Sequence, residues 1–189
     1  MNLAELAIES ERILFGRVNF PRVPSKTKTL LVKTMTGQGR GCEPMLHEIR
    51  TDHDWDLYTQ CRGPVERELG LSGREIEALI RIMRNKGNML NITWYLYPDG
   101  ERPAGAVGLL RYEAAGLRCG RLQDVDIFPG RRGQGLGNCL LEAVECLAMR
   151  GRLKYLTVGA QSDSWTCDWY ERRGYEPVLS MAVPREPGR

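Results

Sequence analysis

The stretch FPGRRGQGLGNCLLEAV, residues 128–144, decides the fold because it joins a glycine-rich loop to the start of an amphipathic helix. Glycine alternates with other residues at Gly133, Gly135 and Gly137, and two arginines come before them. A helix N-terminus exposes unpaired N–H groups and a partial positive charge, and glycine lets an anion approach the backbone closely. The stretch therefore predicts a phosphate-binding loop between a strand and a helix.

The loop fits neither of the two common nucleotide-binding patterns. A Walker loop requires Gly-Lys-Ser/Thr, but Gly135 is followed by Leu136, and a Rossmann GxGxxG motif read from Gly133 would require glycine in place of Asn138. The pattern is instead R-x-x-G-x-G over residues 132–137. The alternative is a glycine turn that only packs a helix on a strand. The arginines, the alternation and the strand–loop–helix context together favour the phosphate loop.

The rest of the chain reads as alternating strands and helices. Thr51 with Asp54, and Ser72 with Glu75, form capping boxes that begin two helices. The predicted order from residue 43 onward is β-α-α-β-β-β-α-β-α-β, which is typical of one mixed α/β sheet with helices on both faces. We assign residues 43–189 to this domain.

Residues 1–42 are predicted to be a basic N-terminal extension with a helix over residues 1–14 and a strand over residues 29–35. From Arg12 to Cys42 there are seven basic residues and no acidic one. The extension is a solvated arm, a site for an anionic partner, or a strand exchanged between the two copies of a homodimer. Nucleic acid is disfavoured as a partner because the arm has a single pair of aromatic residues.

Composition bounds the class of protein. The chain has 189 residues, 42% hydrophobic and 27% charged, which suits one soluble globular domain. No apolar run approaches the ~20 residues of a membrane span, and the N-terminus lacks the apolar centre of a signal peptide. Six cysteines without a CxxC pair, and two separate histidines, predict reduced thiols, no disulfide framework and no metal site. We therefore expect a cytoplasmic protein that does not bind membranes.

Two stretches resemble the signatures of the GNAT superfamily of N-acetyltransferases. VDIFPGRRGQGLGNCLL, residues 125–141, is similar to the acyl-CoA signature, a Q/R-x-x-G-x-G/A loop between the fourth strand and the third helix. DSWTCDWYERRGYEPV, residues 163–178, is similar to the second signature, in which an aromatic-Tyr pair precedes Gly-aromatic. The resemblance covers roughly residues 43–183. It implies the acyl-CoA N-acyltransferase fold, a single mixed, mostly antiparallel sheet flanked by helices on both faces.

The resemblance also implies acetyl-CoA as cosubstrate, without a metal. Main-chain groups near Val125 and Ile127 would pair with the pantetheine arm, in a gap between the splayed fourth and fifth strands. The pyrophosphate would be held by seven consecutive residues: Arg132, Gly133, Gln134, Gly135, Leu136, Gly137 and Asn138.

Tyr170 matches the tyrosine that family members use to donate a proton to the leaving thiolate, although it is also suited to packing against the cofactor. The stretch LQDVDIF resembles LEDxxV, but Gln123 replaces the glutamate that helps to deprotonate the amine. Side chains alternate along a regular strand, so Asp124 and Asp126 would face away from Gln123 unless the strand is bulged. Both remain candidate bases, and the alternatives are surface acids or proton loss to water.

The function implied is that of a CoA-dependent N-acyltransferase acting on the primary amine of a small molecule or peptide. The alternative is a catalytically silent acyl-CoA sensor, which Gln123 would suit. In the family the acceptor lies between the loop joining the first two helices, here residues 70–72, and the last strands. Five acids of the first domain helix would favour a cationic amine or form a solvated face: Asp52, Asp54, Asp56, Glu66 and Glu68.

Overall fold

The structure is a computed structural model that describes residues 2–15, 26–37 and 42–183. The helices are α1 (Leu3–Phe15), α2 (Asp52–Glu68), α3 (Gly73–Leu90), α4 (Leu136–Arg150) and α5 (Trp165–Arg172). The strands are β1 (Lys26–Thr34), β2 (His47–Glu48), β3 (Ile92–Asp99), β4 (Arg102–Ala114), β5 (Leu117–Ile127), β6 (Tyr155–Gln161) and β7 (Glu176–Val183).

The strands form one seven-stranded sheet in the order β2-β3-β4-β5-β6-β1-β7. Every neighbouring pair is antiparallel except β5 and β6, which are parallel. Helices α4 and α5 pack on one face of the sheet, and α1, α2 and α3 pack on the other. The predicted mixed, mostly antiparallel sheet with helices on both faces is confirmed, as is the order of elements from residue 43 onward.

Strand β1 lies inside the sheet, between β6 and β7. Leu31 pairs with Val158 on one side and with Pro177 on the other, so β1 finds its hydrogen-bond partners within its own chain. Helix α1 buries Leu6 and Ala7 against the sheet. The boundary at residue 43 stays a prediction, but the described parts of residues 1–42 contribute a strand and a helix to the same core.

The two predicted capping boxes begin α2 and α3. The Thr51 side chain accepts from the Asp54 N–H, and the Asp54 carboxylate accepts from the Thr51 N–H at 2.8 Å. Ser72 and Glu75 form the equivalent pair before α3. Hydrogen bonds from the Thr51 backbone and from His47 hold the pKa of Asp54 well below its usual range. Local side-chain chemistry therefore sets where both helices start.

The cysteines differ from the sequence expectation. Cys42 and Cys146 form a disulfide that ties the segment before β2 to α4, so the prediction that all six thiols are reduced was wrong. Their separation of 104 residues explains why spacing gave no signal. Among the described residues, no group of three or more potential ligands could hold a metal. In the same part of the chain, no helix has the length and apolarity needed to cross a membrane.

Candidate active site

Strands β5 and β6 separate partway along their length. Their parallel pairing covers residues 119–121 and 155–157, near the start of both strands. Beyond it lies a cavity of about 330 Å³, which we call the β5–β6 groove. Its lining includes Phe15, Lys28, Arg121, Gln123, Asp124, Val125, Gly159, Thr166 and Tyr170. The splay between the two strands, which the family resemblance implied, is therefore present.

The glycine loop adopts the backbone that its composition predicts. Gly130, Gly133 and Gly135 have φ values of +82°, +76° and +79°, in the left-handed region that favours glycine. Gly135 is the N-cap of α4, and no side-chain hydrogen bond caps the helix. Space is open where a Cβ at Gly133 or Gly135 would point. The N-terminus of α4 has free N–H groups, and the two glycines leave space for an anion to approach them, which suits a phosphate group.

A second cavity, of about 730 Å³, lies between this loop and α5, and we call it the loop cavity. Its lining is Val125, Asp126, Ile127, Arg131, Arg132, Gly133, Gly135, Leu136, Gly137, Asn138, Leu140, Trp165, Thr166 and Trp169. The structure brings together eight of the nine residues predicted to bind the cofactor. The ninth, Gln134, is not part of the lining and directs its side-chain amide to the Gly130 carbonyl at 3.3 Å. Their binding role stays a prediction.

Both arginines of the loop have acidic partners. Arg131 pairs with Asp99. Arg132 donates to the Ile127 carbonyl at 2.8 Å and to Glu68 at 2.6 Å. The Glu68 contact joins the loop to the last turn of α2, so Arg132 positions the loop as well as adding positive charge to it.

Strand β5 is bulged between Gln123 and Asp126, the condition under which Asp124 or Asp126 could share a face with Gln123. Gly108 pairs with Gln123, and Ala106 pairs with Asp126, so the register between β4 and β5 shifts in this interval. Asp124 adopts a φ of +44°, within the left-handed region. The bulge places Asp124 in the β5–β6 groove together with Gln123, whereas Asp126 lines the loop cavity. A regular strand would have turned Asp124 away from the groove.

Arg62 of α2 gathers the acids beneath the bulge. Its guanidinium lies 2.6 Å from Glu66, 3.2 Å from Asp126 and 3.9 Å from Asp124. The Asp124 side chain is 42% exposed, and partial desolvation raises its pKa while Arg62 lowers it. Desolvation likewise raises the pKa of Asp126, against Arg62 and Arg132. A raised pKa suits a general base, and Asp124 is the better placed of the two.

Tyr170 lies in α5, is 4% exposed, and lines the β5–β6 groove. Its ring contacts Trp169 at 4.7 Å and Tyr175 at 5.3 Å between centroids. Burial raises the pKa of Tyr170, and the charge of Arg121 opposes the shift. The phenol is therefore protonated at neutral pH and available as a donor. Gln123 shares the groove, where its amide donates to the Leu122 carbonyl at 3.0 Å.

Four of the five acids predicted on α2 bond to neighbouring groups of the protein. Asp52 pairs with Arg84, Asp54 with the N-cap and His47, Glu66 with Arg62, and Glu68 with Arg132. Residues 70–72 do not line the groove. The acidic helix is thus largely neutralised by its own neighbours.

Sequence reasoning missed several residues that line the two cavities. Arg121 and Lys28 face the groove, and Trp165, 74% exposed, borders the loop cavity. Lys28 belongs to β1, which the sequence placed outside the domain. A charged residue between buried strand neighbours is the signal that could have identified Arg121.

Comparison with known proteins agrees with this geometry. Residues 91–177 match the family model for the acetyltransferase (GNAT) domain, so the resemblance to the GNAT superfamily is confirmed for the part that carries the loop and α5. Over these residues the chain is similar to an acetyltransferase (GNAT) domain. No curated protein matches the sequence significantly.

Solved structures share the fold at low identity. A GCN5-related N-acetyltransferase from Ralstonia eutropha is 18% identical with a TM-score of 0.55, covering 74% of this chain and 97% of that one. A predicted acetyltransferase from Clostridium acetobutylicum, solved with acetyl-CoA, is 16% identical with a TM-score of 0.51, covering 71% and 92%. A functionally unknown conserved protein from Staphylococcus epidermidis is 12% identical with a TM-score of 0.59, covering 95% of this chain. This chain spans 66% of that protein's length.

Proposed function

We propose that the protein is an N-acetyltransferase that moves the acetyl group of acetyl-CoA to a primary amine by direct attack. The observation that carries the proposal is the junction of the two cavities. Val125 and Thr166 belong to the walls of both, so a substrate anchored at the glycine loop would have its thioester within reach of the groove. Tyr170 and Asp124 lie on the groove side of that junction.

The residues present fit acetyl-CoA as a substrate. The uncapped start of α4 and the open glycines suit a pyrophosphate, and Val125 and Ile127 lie on the part of β5 that faces the loop cavity. Acetyl-CoA supplies an activated acyl group with a thiol leaving group. The chain supplies its position, because reactants held in the right geometry lose much of the entropic barrier to reaction.

In this mechanism the neutral amine nitrogen attacks the thioester carbonyl carbon. A C–N bond forms, the C–S bond breaks, and the thiolate takes the phenolic proton of Tyr170. The amine gives up its proton to Asp124 or to water, and Tyr170 is reprotonated from solvent. The six cysteines take no part in these steps.

The test is thiol release from acetyl-CoA with a panel of amines, alongside calorimetric binding of CoA to the same sample. We expect micromolar to millimolar CoA binding and turnover with at least one amine. Binding without turnover on any amine would favour the silent acyl-CoA sensor, and Gln123 would then be its explanation. A failure to bind CoA would overturn the phosphate-loop interpretation itself.

A further inference from the structure

A buried charge cluster borders the β5–β6 groove and is not used by the mechanism above. Glu11 of α1 contacts Lys28 of β1 with one carboxylate oxygen and Arg121 of β5 with the other. The side chains of Glu11 and Arg121 are 2% and 3% exposed, and that of Lys28 is 19% exposed. One carboxylate therefore faces two cations, which leaves an excess of positive charge at the wall of the groove.

Arg121 also has unused hydrogen-bonding capacity. Its Nε and Nη1 are buried and have no acceptor among the described residues. Buried polar groups are normally paired, most of all when they are charged, so these two donors indicate an acceptor that enters from outside the chain. A carboxylate suits such donors because a hydrogen bond between two charged groups is about twice as strong as one between neutral groups.

Gly159 of β6 leaves the space that the side chains of Arg121 and Lys28 occupy beside each other. A Cβ at residue 159 would lie 2.7 Å from Arg121 Nη2 and 3.3 Å from Lys28 Cδ. Any larger residue would push the cations away from each other or out of the groove. Arg121, Lys28 and Gly159 all line the groove with Tyr170 and Asp124. The groove therefore has a cationic side and, at the bulge, an acidic group.

We propose that the acetyl acceptor is a small zwitterion, an amine that carries a carboxylate, of the class of the α-amino acids. The proposal rests on the proposed N-acetyltransferase function and names the substrate class for the same site. The carboxylate lies against Arg121 and Lys28, and the amine lies toward Asp124 and Tyr170. A groove of about 330 Å³ suits a small molecule. A polyamine would place a second cation against Arg121 and Lys28, which is unfavourable.

The reaction balance is that of the mechanism above. The ammonium group of the zwitterion first loses one proton to Asp124 or to water, and the neutral nitrogen then forms the amide with the acetyl carbon while CoA leaves as the thiol, so that one proton is released overall. The carboxylate takes no part in bond making. It fixes the position of the amine relative to the thioester.

The experiment compares acceptors that differ only in the carboxylate. Thiol release from acetyl-CoA is measured with the standard α-amino acids, their α-amides and their decarboxylated amines, with polyamines included. We expect kcat/KM for the best amino acid to exceed that for its amide and its decarboxylated amine by tenfold or more. Equal rates, or a preference for amides or polyamines, would overturn the zwitterion proposal and keep the transferase. No turnover with any amine would overturn the proposed function, and the zwitterion proposal would fall with it.

Lys28→Met tests the cationic side directly, because it leaves the Arg121–Glu11 pair charge-balanced. We expect KM for the amino acid to rise tenfold or more, with a clearly smaller change in KM for the decarboxylated amine and no change in the affinity for CoA. Lys33→Met is the matched control: Lys33 is also on β1, is 24% exposed, and pairs with one carboxylate, Glu145, at 2.8 Å. An equal effect of the two variants on KM would contradict the proposal. If Lys28→Met fails to fold, the comparison of acceptors on the unmodified protein decides it.

Discussion

Trp169 donates a 2.8 Å hydrogen bond from its indole Nε1 to the side-chain oxygen of Asn138. The bond joins the residue before Tyr170 in α5 to the first turn of α4. Arg173 Nε donates to the same oxygen at 3.1 Å. One amide side chain thus couples the glycine loop, proposed to hold the cofactor, to the helix that carries the proposed proton donor.

Trp169→Phe should weaken this coupling without removing the aromatic ring from the wall of the loop cavity. We expect a loss of about 1 kcal/mol in the free energy of unfolding, the usual value of one hydrogen bond. We also expect kcat to fall by roughly 2- to 10-fold, because small shifts of a catalytic group are costly. Urea denaturation and steady-state kinetics measure the two effects. Trp165→Phe makes the same exchange at an exposed position of the same helix and should leave stability unchanged.

Gly135→Asp should abolish CoA binding while the protein stays folded. The φ of +79° makes any side chain unfavourable by about 1–2 kcal/mol, and the carboxylate would stand where a phosphate is expected. Calorimetry should show the Kd for CoA rising by about 100-fold or more.

Gly130→Asp separates backbone strain from charge at the phosphate site. Gly130 has a nearly identical φ of +82° and open space around its Cβ, but it does not line the loop cavity. We expect a similar loss of stability and little change in CoA affinity. Equal CoA affinities of the two variants would refute the assignment of the phosphate to the start of α4.

Tyr170→Phe should lower kcat by about 100-fold, the usual scale of a lost general acid, with little change in CoA affinity. Burial raises the pKa of Tyr170, so in the unmodified protein the phenol should keep its proton, and kcat should hold, as the pH rises to about 10. Tyr175→Phe is the control, because Tyr175 is also buried and touches the Tyr170 ring, but it does not line the groove. Undiminished turnover in Tyr170→Phe would remove it as the acid.

Asp124→Asn tests the base. Asparagine tolerates the left-handed backbone at this position, so the bulge should survive the exchange. The raised pKa of Asp124 means that the base form appears as the pH rises, so activity should increase through that pKa in the unmodified protein. In Asp124→Asn this rise of activity with pH, the acidic limb of the pH–activity profile, should disappear. The value of kcat/KM should also be lower by at least about 10-fold.

Asp126→Asn serves as the comparison, because Asp126 lies on the loop-cavity side and is held at 3.2 Å by Arg62. The acidic limb of the pH–activity profile of Asp126→Asn should resemble that of the unmodified protein. If both variants keep the limb, water rather than either carboxylate takes the amine proton.

The sequence by itself determined the local features of this protein. The helix starts at Thr51 and Ser72 follow from side chains bonding to nearby N–H groups, which is a short-range effect. The glycine loop could be predicted for the same reason, because glycine is favoured at residues 133 and 135 by the positive φ of each residue alone. Two local signatures at the right separation were then enough to identify the fold.

Only the tertiary structure decided which distant residues meet at the site. The bulge that turns Asp124 into the groove depends on the pairing of β5 with β4, which no local pattern contains. Lys28 reaches the groove because β1 pairs with β6, and Glu11 meets Arg121 across 110 residues of chain. Cys42 and Cys146 likewise meet only through the packing of α4. Such contacts depend on the summed packing of the whole core, so sequence spacing carries no record of them.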